Sequence, residues 1–381
     1  MRVFVVGLAV CLLSTSARAD EEIAVRAAAA AGGGARGSAV YGGVDLRLDL
    51  AWRSARLGLG GRLVWLDASL RDDWGTPADA LHLVRDLQLA TRIGTTRLAL
   101  AGGVLAPPAI AHVADGYRAR LDDRPVTGLR VGLGTHATEL RAELDDVVRP
   151  HFLAGVLDWQ LAAPWGVIAA AAADPTTGDA SLEMAVQRRY EREGVRTDLG
   201  TGMVVEPGFG LGAIAYVATA LDHAGARWTT STELRAGTGT VGGAFGPLHR
   251  LERSELYAHA HDGVGAAFTA GVVGGPGWAS AGVRYRPDLG LLATATVGAP
   301  MGTRWQAAAW FAASKLGTAG AAEVRVTWPH RLASTLELGR LYDVDAMGMD
   351  PSPMAPMAPT SPMATRPAAQ LSAIVWLSLT N

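Results

Sequence analysis

The chain has 381 residues, 34 basic and 36 acidic side chains, a formal net charge of −2 with histidine neutral, and 47 glycines. A near-neutral balance excludes the strongly basic surface of a nucleic-acid binder, and one cysteine excludes a disulfide framework. No stretch after Leu13 holds the ~18 consecutive apolar residues of a helical membrane span, although 49% of the residues are hydrophobic.

The first element is an export signal. "MRVFVVGLAVCLLSTSARA" has a basic start at Arg2, an apolar run from Val3 to Leu13, and the small-x-small set Ala17, Arg18, Ala19. The run is too short to cross a bilayer and fits a cleaved secretory signal over 1–19, with cleavage before Asp20. Cys11 lies inside that run, away from the cleavage point, so a lipid-modified cysteine is disfavoured. Cleavage leaves 381 − 19 = 362 residues, no cysteine, and a charge of 32 − 36 = −4.

Residues 20–381 read as strands. In "GGVDLRLDLAWRS", 42–54, Val44, Leu46, Leu48, Leu50 and Trp52 alternate with Asp45, Arg47, Asp49 and Ala51. In 56–65, Leu57, Leu59, Leu63 and Trp65 alternate with Arg56, Gly58, Gly60 and Arg62. The pattern returns with Leu129, Val131 and Leu133 against Arg130, and with Leu140, Ala142 and Leu144 against Glu139, Arg141 and Glu143. Further on, Leu182, Met184 and Val186 face away from Glu183 and Gln187, and Ala322, Val324 and Val326 from Glu323 and Arg325. The final segment sets Leu371, Ala373, Val375, Leu377 and Leu379 against Gln370, Ser372 and Ser378. A period of two is the strand signature.

Turn chemistry separates the segments, as at "GTT" 94–96, "EREG" 191–194 and "GGPG" 274–277. Short and long connections alternate, and a barrel with both ends on one side of a membrane needs an even strand number. The raw count is 21. Either 240–247 is an extra strand or 22–31 is not one, so the range is roughly 16–22 strands.

The opposite faces of these strands ask for different solvents. An arginine facing lipid at mid-membrane costs about 2–4 kcal/mol, and in the clearer strands arginine keeps to one face. Tryptophans near segment ends (Trp52, Trp74, Trp165, Trp228, Trp278, Trp305, Trp328, Trp376) suit an aromatic girdle. The fold class expected is all-β, a transmembrane antiparallel β-barrel.

With its signal, its alternating segments and its C-terminal amphipathic strand, the chain resembles Gram-negative outer-membrane β-barrels, porin-like in general plan, over nearly all of its mature length. It departs from them at the last residue, Asn381, where an aromatic is usual. The resemblance implies an outer-membrane location, contact with lipid and lipopolysaccharide, and delivery by the barrel assembly machinery.

Candidate functional residues lie on the charged faces: Arg47, Asp49, Arg62, Arg130, Arg141, Glu143, Arg196, Glu233, Arg235 and Arg325, with Asp45, Arg56, Glu139, Asp198 and Glu323 beside them. Charged rings in a lumen set ion preference and bind solutes. The same residues can form ion pairs between strands that only brace the wall. Glu255, His259 and His261 share one face of "ELYAHAHD" and can approach one metal ion, or are ordinary lumen residues.

Residues 344–366 are rich in Met and Pro and read as a flexible external loop, although the thioethers of Met347, Met349, Met354, Met357 and Met363 suit Cu(I) or Ag(I). The connection 107–126 reads first as an exposed surface loop, with an inward fold that narrows a pore as the alternative.

The function expected is passive diffusion of small hydrophilic solutes through a charged lumen, without cofactor or chemical step. The alternatives are a non-conducting scaffold barrel for a periplasmic or surface partner, and a barrel enzyme or metal-binding protein. The oligomeric state stays open.

Overall fold

A computed structural model describes residues 24–52, 55–71, 73–105, 109–111, 114–115, 126–176, 178–207, 210–238, 263–275, 277–287, 290–315, 317–342 and 369–380. The signal segment, the 255–261 histidine cluster and the Met/Pro segment 344–366 lie outside the described residues.

Twenty strands close into one antiparallel barrel. In chain order they are β1 Ala24–Arg36, β2 Ala39–Trp52, β3 Ala55–Leu66, β4 Val84–Ile93, β5 Thr96–Gly103, β6 Gly128–Gly134 and β7 Thr138–Leu144. There follow β8 Leu153–Ala162, β9 Trp165–Asp174, β10 Asp179–Arg192, β11 Val195–Glu206, β12 Gly210–His223, β13 Ala226–Thr238 and β14 Gly263–Gly274. The circuit ends with β15 Gly277–Arg286, β16 Gly290–Met301, β17 Trp305–Ser314, β18 Gly317–Thr327, β19 Leu332–Tyr342 and β20 Ala369–Thr380. Each strand pairs with its neighbours in sequence, and β1 pairs with β20 from Ala28↔Thr380 to Arg36↔Ser372. Closure removes every sheet edge, so all ladder hydrogen bonds are made within the wall, as hydrocarbon demands.

The strand number falls inside the expected range. Residues 24–36 are a strand, so the option of discarding 22–31 fails. Ala and Gly fill β1, and its extended form comes from pairing on both sides rather than from its own propensity.

The connections sort by length. Tight turns such as 94–95, 163–164, 193–194 and 224–225 all lie at one end, together with the start of β1 and the finish of β20. The long connections 67–83, 104–127, 145–152, 239–262 and 343–368 all join strands at the other end. Short turns mark the periplasmic end of an outer-membrane barrel and long loops its outer end.

The register carries one parity around the whole wall. The outward row holds Leu182, Met184 and Val186 of β10, Met203 and Val205 of β11, and Leu371, Val375, Leu377 and Leu379 of β20. These are 37–69% exposed, an apolar exterior that fits lipid and not water. Among the described strand residues, acid and arginine side chains take the outward parity only at Arg188, Arg192 and Arg340, all near strand ends; Arg85, at a bulge between β3 and β4, reaches the inner side beside Gly60 and donates to its carbonyl. The Arg188 guanidinium lies 5.4 Å from the Trp165 ring centroid and 4.9 Å from that of Tyr190, a cation held at the interface by two rings.

Outward-facing Trp52, Trp159, Trp165, Trp228 and Trp305 gather toward the tight-turn end, half-exposed, and form the expected girdle there. Three tryptophans expected in it are not. Trp376 is inward and buried, and Trp278 takes an inward register opposite Gly298. Trp74 lies in the connection after β3, its indole N–H donating to the Arg62 carbonyl.

The two faces should respond differently to one substitution. Met184→Arg, on the outward row of β10, is expected to cost about 2–4 kcal/mol, whereas inward Ser231→Arg on β13 should cost under about 1 kcal/mol. Denaturant titration of both variants in lipid vesicles reads the difference.

Candidate functional site

The inner wall is the polar surface of this molecule. The register places Asp45, Arg47, Asp49, Arg56, Arg62, Arg130, Glu139, Arg141, Glu143, Arg196, Asp198, Glu233, Arg235, Glu323 and Arg325 all on the inward row. They are not one cluster; they ring the lumen.

Most of them are engaged with each other. Arg62 lies 3.0 Å from Asp45, Arg47 2.8 Å from Asp49, and Arg196 2.8 Å from Asp198. Arg130 grips Glu143 with two donors, at 2.6 and 2.9 Å, and Arg235 donates to Glu233. Arg189, absent from the sequence-level candidates, donates to Asp198 at 2.9 Å and to Asp158 at 3.2 Å, so it ties β8, β10 and β11 together. Gln187 adds a bond to Asp158 at 3.1 Å and receives one from the Tyr216 hydroxyl at 3.2 Å. Such mixed-sign pairs neutralise the wall locally and stiffen it across strands.

Two sectors of the wall carry packed apolar side chains on the inside. Tyr41, Val64, Ile374 and Trp376 form one, with the Arg62 guanidinium 4.4 Å from the Trp376 ring centroid. Gly32 and Gly43 lie beneath the indole ring, and a Cβ at either would strike it. Ala185, Val204, Ile214 and Tyr216 form the other.

The connection after β5 bears on the lumen directly. Its described part is a small hairpin, Ala109–Ile110 with Ala114–Asp115. Ala111 at its tip packs against Phe152, Ala154, Ala170 and Ala172, of which the three alanines stand on the inward rows of β8 and β9. The hairpin thus rests on the inner wall, which at these residues differs from the first expectation of an exposed loop; 107–108, 112–113 and 116–125 lie outside the described residues. Small side chains at 154, 170 and 172 leave the room it occupies.

Outer loops interlock nearby. A short 3-10 helix, Pro77–Leu83, carries buried Asp79 and His82. His82 Nε2 lies 3.0 Å from Asp146 of the β7–β8 loop, and Arg149 of that loop lies 3.4 Å from Asp79. Burial pushes the Asp79 carboxyl up, but the Thr76 amide and hydroxyl, Arg149 and His82 outweigh it and hold the group below its ordinary value. Burial pushes Asp145 up to about 7, against the backbone N–H groups of His151, Phe152 and Asp146 that favour its charged form. Among the described residues no group of three His, Cys, Asp or Glu side chains is placed to hold a metal.

No family model matches the chain, and no curated protein matches it. By structure it is similar to porins of the Pseudomonas aeruginosa outer membrane. The comparison with OccK2 (OpdF) gives 9% identity, 94% of this chain and 98% of that one, and a TM-score of 0.42. OccK5 (OpdH) gives 9% identity, 95% and 99%, and 0.36; OprD gives 9% identity, 95% and 95%, and 0.35. The fold stands on the chain's own strand pairing.

Proposed function

We propose that the barrel is a passive channel of the outer membrane that lets small hydrophilic solutes cross by diffusion, with no chemical step. The observation that carries this is the wall itself: a closed circuit of twenty strands, apolar outside and charged inside. Barrels of 16–18 strands already leave an aqueous interior. The hairpin against β8 and β9 narrows that interior, and the paired charges give the lumen mixed sign, so size limits passage more than charge does.

Liposome swelling with neutral sugars of rising mass tests the reading. Swelling that falls off with solute size supports it; vesicles carrying folded barrel that do not swell with any sugar overturn it. Removing residues 106–125 and joining 105 to 126 should raise the single-channel conductance and the size cut-off together.

The scaffold reading keeps one observation in its favour. The packed inner sectors around Trp376 and Tyr216, and the braces through Arg189, stiffen the wall whether or not solutes pass.

A further inference from the structure

One inner sector differs from the rest of the wall. Where β4, β5, β6 and β7 run side by side, the inward row holds Ala90, Ala99, Ala101, Gly132 and Gly134. With nothing larger than a methyl group there, the wall is hollowed into a recess of about 930 Å³ that runs to the tight turns at 94–95 and 135–137.

The rim of that recess is basic. Arg92 and Arg97 face each other directly across β4 and β5, one rung from the turn, and His136 and Arg141 stand nearby, against Glu139. Several inward arginines elsewhere on the wall, among them Arg62, Arg130, Arg189, Arg196 and Arg235, meet a carboxylate. Among the described residues neither Arg92 nor Arg97 is within ion-pair distance of one, and both are exposed to the lumen. Two like charges directly opposite on one face destabilise a strand pair. The wall thus holds two arginines directly opposite each other at the mouth of a hollow, an unfavourable pair with no carboxylate between them.

We propose that this recess is a binding site for a small anion carrying two negatively charged oxygen groups, located at the periplasmic mouth of the lumen. Two adjacent guanidinium forks present parallel donors to two such groups at once. The floor of alanine and glycine gives the ligand room below the rim. An occupant there relieves the Arg92–Arg97 repulsion, a gain that an anion beside an arginine already paired with a carboxylate does not obtain. Because the site lies at one mouth, its occupancy depends on the side from which the anion comes. The effect on conduction rests on the channel reading; the binding does not.

The probe is inorganic pyrophosphate, added to one side at a time of the refolded protein in a planar bilayer. Current in simple salt alone tests the channel reading. Block from the tight-turn side at a concentration at least about ten-fold lower than from the other is expected, and R92S/R97S should weaken it by about ten-fold or more. R227S, an arginine on the distant β13, should leave it in place. Equal block from both sides, or block unchanged in R92S/R97S, overturns the proposal. A barrel that passes no current defeats the channel reading alone. Calorimetric titration of pyrophosphate into the detergent-folded wild type and R92S/R97S then decides the site: heat of binding lost in the variant supports it, and absence of heat in both overturns it.

Discussion

Gly34→Leu should prevent the barrel from closing. Gly34 sits on the inward row of β1, between Tyr41 of β2 and Ile374 of β20. A Cβ at this position would collide with the Ala373 carbonyl oxygen and lie 2.8 Å from the Ile374 Cα. Both obstacles are backbone, so no rotamer change relieves them, and the cost exceeds the roughly 1–3 kcal/mol of ordinary overpacking. The nine rungs that join β1 to β20 lie around this point, and without them both strands become open edges in lipid. The expected result is no compact, heat-modifiable band on unheated SDS gels and no protease-resistant barrel in vesicles. Gly42→Leu, on the outward row with open space around its Cβ, should assemble normally.

Glu233→Ala should be the most damaging single charge removal on the inner wall. The side chains of Glu233 and Arg235 are 9% and 5% accessible, side by side on β13 beside Ile214 and Tyr216. Removing the carboxylate takes away the anion to which the buried Arg235 guanidinium donates, a loss of about 3–5 kcal/mol. Replacing both by leucine should restore most of that loss, since a buried pair is often no more stable than apolar groups of similar volume. Denaturant titration in vesicles reads the stability. Ion selectivity, measured as a reversal potential, should hardly change in the double variant, because the pair contributes no net charge to the lumen. A large shift in selectivity would show that Glu233 or Arg235 acts on permeating ions instead of bracing the wall.

Much of the wall was legible in the sequence, because a strand has a period of two and the two solvents differ so sharply. The alternation of Leu46, Leu48 and Leu50 with Asp45, Arg47 and Asp49 is the register that the structure shows. The same parity shows why Trp376 belongs inside. It stands one step out of phase with Leu371, Val375, Leu377 and Leu379, and only its place near the chain end suggested a girdle.

Arg92 and Arg97 were also within reach. Asp86, Gln88, Ala90 and Arg92 alternate with Leu87, Leu89 and Ile93, and the tight turn at 94–95 brings Arg97 opposite Arg92. What single strands do not reveal is partnership across the wall. The ion pairs of Arg189 with Asp158 and Asp198 join residues 31 and nine positions apart, and only the circuit of strands brings them together. The place of the short hairpin Ala109–Ile110 with Ala114–Asp115 was hidden for a similar reason. Whether it lies inside or outside depends on the room left by Ala154, Ala170 and Ala172, which belong to two later strands.

The measurement that bears most directly on this account is single-channel conductance of the refolded protein, residues 20–381, in a planar bilayer with simple salt. Stable steps with weak preference between cation and anion are predicted, as a water-filled lumen of paired charges requires. A folded, inserted barrel that stays silent under applied voltage would contradict the channel and leave a scaffold whose interior is closed.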